Sequence, residues 1–169
     1  MNDDVKMLLE KVNRMTEELS RFKRALEAVI NGEPFHEAFD EELFFEAKKD
    51  ERAAISKAAV VMEHLLKLGY STIRSYDTRR NDWRNHFDRH LTDLSGVLGW
   101  YTDRDENAIA KLESNLPKAY NGAKSLYLKA ADEYDDLKPG IQKLPSDCPW
   151  TLEQLMEKGI TQLVRMLPD

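Results

Sequence analysis

From Asp3 to Asn31 the apolar residues recur at alternating steps of three and four: Val5, Leu8, Val12, Met15, Leu19, Phe22, Leu26 and Val29. This is an unbroken a/d heptad register, so the segment predicts a long amphipathic, coiled-coil-like helix over residues 3–31. Asp3 and Asp4 suit the positive end of its dipole, and Gly32 is placed to stop it in the left-handed conformation. A stripe of this length must be covered, either by the chain's own helices or by the same helix of a second chain. Leu9 and Ile30 at e positions widen the face beyond a strict two-stranded seam, whereas Glu18 at g and Lys23 at the following e have opposite signs for an interchain pair. The expectation is a homodimer, or another protein partner, held through this helix.

The rest of the chain also reads at helical period. Ile55, Ala59, Met62 and Leu66, with Ala58 and Leu65 beside them, predict a helix from about residue 40 to 68, stopped by Gly69. Asp77 is the N-cap of a third, whose inward stripe is Trp83, Phe87, Leu91, Leu94, Leu98 and Tyr101. Ile109, Leu112, Leu116, Ala119, Ala123, Leu126 and Ala130 share one face of the next stretch, where Pro117 predicts a kink or two helices meeting near Asn115. Residues 135–150 predict a surface loop. Thr151 and Gln154 form a capping box opening a last helix, 151–167, with Leu152, Leu155, Met156, Leu163 and Leu167 inward and Gly159 weakening it. No segment has a period of two. The fold class is therefore all-α, a bundle of five or six helices in one domain over 1–169, centred on residues 40–134.

Composition narrows the functional classes. The 169 residues carry 25 Lys plus Arg against 31 Asp plus Glu, and a net charge of −6 disfavours polyanions as the main partner. A single Cys cannot form an internal bridge, and no apolar run reaches a membrane span or marks a secretory leader. A cytoplasmic protein with no membrane association is expected.

Candidate chemistry concentrates on two helices. Asp82, His86 and His90 stand at i, i+4 and i+8 on nearly one face of the third helix, and His64 on the second can approach them, offering nitrogen and oxygen ligands for Zn, Fe or Ni. The plainer reading makes His86 and His90 boundary residues beside the Trp83–Phe87 stripe, and His64 a packed histidine bonded to a carbonyl or carboxylate. A functional His64 would work with Glu63, Lys67 or Trp83, which makes it the candidate catalytic residue. Arg79, Arg80 and Arg84, in a locally basic stretch from Arg74 to His90, could meet phosphates, but Arg84 and Asp88 pair at i, i+4 and nucleic acid is an unlikely partner. Cys148 precedes a helix start that could lower its pKa, but without a His partner it reads as a turn-packing residue, and the carboxylates of Asp132, Glu133, Asp135 and Asp136 read as a solvated helix end. There is no Gly-rich phosphate loop, nucleophile elbow or paired Cys, and no cofactor is called for.

Ser56, the run His64–Leu65–Leu66–Lys67, Trp83, Ala119–Tyr120, Leu144–Pro145 and Cys148–Pro149–Trp150–Thr151 with Glu153–Gln154 follow the order and spacing of a known pattern. Over residues 40–157 the chain resembles the bacterial domain of unknown function 29; the heptad segment is outside that pattern. Arg89 and His90 stand where the family has Gln-Arg, and its acidic run before the His helix is matched only by Asp40, Glu41, Glu42 and Glu46. The resemblance implies an all-helical domain and a bacterial source, and no activity. The reading from sequence is an interaction or oligomerisation module, with a metal-dependent hydrolase or transferase using His64, His86 and His90 as the alternative.

Overall fold

The computed structural model describes residues 3–30, 35–73 and 77–169; within its helices the side chains of 3, 4, 18, 21, 22, 25, 26, 28, 29 and 35–47 are outside the description. Among the described residues six α-helices and one 3₁₀ stretch follow in order: α1 (Asp3–Ile30), α2 (Phe35–Tyr70), α3 (Thr78–Arg104), α4 (Ala108–Glu133), the 3₁₀ stretch (Asp135–Lys143), α5 (Leu152–Glu157) and α6 (Ile160–Arg165). Among the described residues there is no strand, and no helix is long and apolar enough to cross a membrane. The chain divides into two compact units, Met1–Lys48 and Lys49–Asp169.

In the second unit, local chemistry sets the helix starts. The Asp77 carboxylate accepts the Arg79 N–H at 2.9 Å, as the capping reading required. Thr151 and Gln154 close the capping box in both directions: Thr151 Oγ1 accepts the Gln154 N–H and Gln154 Oε1 accepts the Thr151 N–H. The core is built from Met62, Leu65 and Leu66 of α2, Trp83, Phe87, Leu94, Leu98 and Tyr101 of α3, and Leu112, Leu116, Tyr120 and Tyr127 of α4. Small residues let α2 and α4 approach closely, since a Cβ on Gly122 would stand 3.2 Å from that of Ala59. At the far end the buried ion pair of Asp50 with Arg104, 2.7 Å, ties α2 to α3.

Several expectations are corrected. α2 runs through Gly69 to Tyr70; Gly69 lies against the end of the Leu167 side chain, and its backbone is not left-handed. The expected stop at Gly32 is outside the described residues. α4 is one helix through the exposed Pro117, which deprives only the Glu113 carbonyl of its i+4 donor. Its buried face is also turned from the one expected: Ile109 and Leu126 are exposed, and Tyr120 and Tyr127 are buried instead. The supposed loop begins with nine residues of 3₁₀ helix that bury Leu137 and Gly140. The last helix is two, broken at Lys158, with Gly159 as the N-cap position of α6.

In α1 the described a and d side chains are all about half exposed or more, from Val5 at 49% to Leu19 at 69%. Lys23 lies 3.9 Å from Glu27 in its own helix, an i, i+4 pair. Phe22, Leu26, Val29 and the Glu18 side chain are outside the described set.

Candidate functional site

Three of the four sequence candidates come together. His64 is on the inward face of α2 between Leu65 and the buried Val61, and only 6% of it is exposed. Its Nδ1 lies 2.8 Å from the Val60 carbonyl oxygen and 3.0 Å from Glu63 Oε2. Both neighbours are acceptors, so Nδ1 carries a proton, and in the uncharged ring the lone pair is on Nε2. The other oxygen of the buried Glu63 pairs with Lys67 one turn on. Burial alone would raise the Glu63 carboxyl; the hydrogen bond from His64 and the charge and hydrogen bond of Lys67 outweigh it, and the pKa is lowered. Lys67 Nζ in turn stands 5.8 Å from the centroid of the Trp83 ring. The simpler reading of His64, a packed histidine with carbonyl and carboxylate partners, thus describes one side of its ring.

The other side faces α3. The His86 ring stands edge-on to His64 with centroids 5.7 Å apart, and the His90 ring is 5.3 Å away. Both are half-buried. His90 Nδ1 is buried and has no hydrogen-bond partner; the nearest carboxylate oxygen, Asp93 Oδ2, is 3.8 Å away and bonded to Lys57 at 3.1 Å. The His90 pKa is lowered by burial first, then by positive charge on His64, Lys57 and His86, with Asp93 opposing. At neutral pH His90 is an uncharged imidazole. Asp82, the fourth candidate ligand, is solvent-exposed one turn before His86. Among the described residues no three His, Cys, Asp or Glu side chains already stand in a metal-holding arrangement.

The remaining candidates have other work. Arg79 donates to Asp136 Oδ1 at 2.9 Å and lies over the rings of Tyr134 and Trp83, at 5.0 and 5.9 Å, so its guanidinium is engaged within the fold. Arg74 is outside the described residues. Asp136 was grouped with solvated carboxylates but is a junction: besides Arg79, it accepts from the Ser71 hydroxyl at 2.8 Å, and its carbonyl accepts the Thr72 N–H. Burial pushes the Cys148 thiol up, the reverse of the helix-start expectation, and Sγ lies 3.2 Å from the Trp150 carbonyl and 3.6 Å from Met62 Sδ.

A family model, Domain of unknown function DUF29, matches residues 36–160. The chain belongs to the DUF29 family. The matched span contains His64, His86, His90, Glu63, Lys67 and Trp83, and it begins after α1 has ended. No curated protein and no solved structure matches the chain. DUF29 membership assigns the chain no reaction.

Proposed function

We propose that this DUF29 protein acts by association: α1 pairs in parallel with α1 of a second copy, joining two helical domains into a homodimer. The observation that carries this reading is the solvent exposure of the a/d stripe, where Val5, Leu8, Val12, Met15 and Leu19 are each 49% exposed or more. Five such side chains in register on one helix form a strip that water disfavours, at roughly 1.5–3 kcal/mol for each when fully buried. A second copy fits it by symmetry, because the a and d positions of identical helices meet in parallel alignment. Charge permits self-pairing: α1 has six basic and six acidic residues, and Glu18 of one helix stands in sequence opposite Lys23 of the other. A reducing, cytoplasmic setting goes with this reading, since the single cysteine has no partner for an internal bridge.

Replacing Leu8 and Leu19 with Lys tests it. The double variant should sediment as a monomer while the second unit keeps its far-UV spectrum and melting temperature; a wild-type and a variant of equal mass would overturn the reading. A second reading, a metal-dependent hydrolase or transferase, is supported by the approach of the three histidine rings, and its first requirement is that they take a metal ion.

A further inference from the structure

Three imidazoles from two helices meet in the DUF29 domain. Two of them, His86 and His90, are one turn apart on α3, and the ring of each lies beside that of the third, His64 on α2. Two imidazoles bound to one tetrahedral ion at about 2.0–2.1 Å would place their ring centroids roughly 5–5.5 Å apart. The observed separations from His64 are 5.3 and 5.7 Å. We propose that His64, His86 and His90 form a three-imidazole site for a divalent ion of the zinc class, with a fourth position open to water or a ligand.

Two further features of the cluster point the same way. His64 has the outer arrangement of a metal-bound histidine: its Nδ1–H is held by the Val60 carbonyl at 2.8 Å with the Glu63 carboxylate at 3.0 Å, which fixes the tautomer and leaves Nε2 as the ligand atom. Lys67, paired with the other Glu63 oxygen, fixes that carboxylate in turn. His90 supplies the second feature, a buried Nδ1 without a partner. A buried polar nitrogen left unbonded is unfavourable, and a bound ion, reached directly or through reorientation of the ring, removes the deficit. The donor atoms are not already gathered on one point. The ion therefore draws the rings inward by side-chain rotation, for which the half-buried His86 and His90 have more room than His64. Asp82 is exposed and stays outside the ligand set; Asp93, 3.8 Å from His90 Nδ1 and bonded to Lys57, orients the rim.

The full-length protein, purified without a histidine tag and stripped with chelator, is titrated with Co²⁺ and Zn²⁺. The expected result is one equivalent per chain, with the intense visible absorption of four-coordinate cobalt, displaced by zinc. His86→Ala and His90→Ala, at half-buried positions, should abolish that absorption while the helical spectrum is kept. Glu63→Gln should weaken binding by about 10–100-fold, as loss of an outer-shell partner does. Asp82→Asn and Cys148→Ser should bind like wild type, and so should the α1 variant with Lys at positions 8 and 19, which separates this site from the dimer reading. Absence of binding by wild type, binding unchanged in both His86→Ala and His90→Ala, or loss of binding in Cys148→Ser would overturn the proposal.

Discussion

Gly140 lies so close against Tyr127 that a Cβ at position 140 would stand 2.2 Å from the tyrosine hydroxyl oxygen and 2.6 Å from Tyr70 Cβ. The same hydroxyl donates to the Leu137 carbonyl at 2.8 Å, so one buried tyrosine clamps the 3₁₀ stretch onto α4. Gly140→Ala should destabilise the second unit by about 1–3 kcal/mol through overpacking. Tyr127→Phe should cost about 0.5–1.5 kcal/mol by removing this buried hydrogen bond. The double variant should lose less than the sum, because the closest clashing atom is gone, although Tyr70 keeps the rescue partial. Urea unfolding of the four proteins measures the coupling, and strict additivity would contradict the clamp.

Tyr101, Tyr120 and Tyr127 share an alkaline signature. Burial is the leading cause in each case and pushes the phenols of Tyr101 and Tyr127 up to about 12, with Tyr120 raised further. A folded pKa above the unfolded value of about 10 gives stability that is complete below that pH and lost as the pH rises through the folded value. Thermal melts from pH 9 upward should show the midpoint falling while tyrosinate absorbance appears only with unfolding. Tyrosinate absorbance from all three in the folded protein near pH 10 would show that they are not sealed.

These tyrosines also show what the sequence made legible and what it did not. Caps act within three residues, so Asp77 and the Thr151–Gln154 box could be read directly, and the Trp83–Phe87–Leu94 stripe followed from period alone. Tyr120 and Tyr127 lay outside the face expected for α4, because the carbonyls that accept from their hydroxyls, those of Pro145 and Leu137, belong to a segment that reads as loop. For Cys148 the nearby helix start was visible in the sequence, whereas the extent of its burial depends on Met62 and Trp150 packing against it. The His86–His90 spacing was legible on α3, whereas the nearness of His64 and the exposure of Asp82 depend on how α2 packs and on which way α3 is turned.

Acid should loosen the histidine cluster in metal-free protein. The folded pKa of His90 lies below its ordinary value near 6.5, so the stability it contributes is present above that pH and lost as the pH falls below it. After burial, positive charge on His64, Lys57 and His86 disfavours protonation of His90, while Asp93 opposes them. Glu63, also lowered, adds a second loss below about pH 4.5. Urea midpoints between pH 8 and 4 in chelator should decline in wild type and decline less in His90→Gln from pH 6.5 to 5. Equal slopes there would remove His90 from the account.

Thr151→Ala breaks both halves of the capping box at α5, and should cost about 0.5–2 kcal/mol. Because Leu152 N–H is held independently by Glu113 Oε2 at 2.9 Å, the helix start should survive and the loss should stay in that range. Denaturant midpoints for Thr151→Ala and Glu113→Gln decide this; a Thr151→Ala protein as stable as wild type would show that the box contributes nothing.

The central claim is that α1 joins two copies. Static light scattering of the intact chain at micromolar concentration, coupled to gel filtration, measures it without any substitution. The expected mass is about 39 kDa, twice the 19.6 kDa of one chain. A mass of 19.6 kDa that does not rise with concentration would contradict the homodimer.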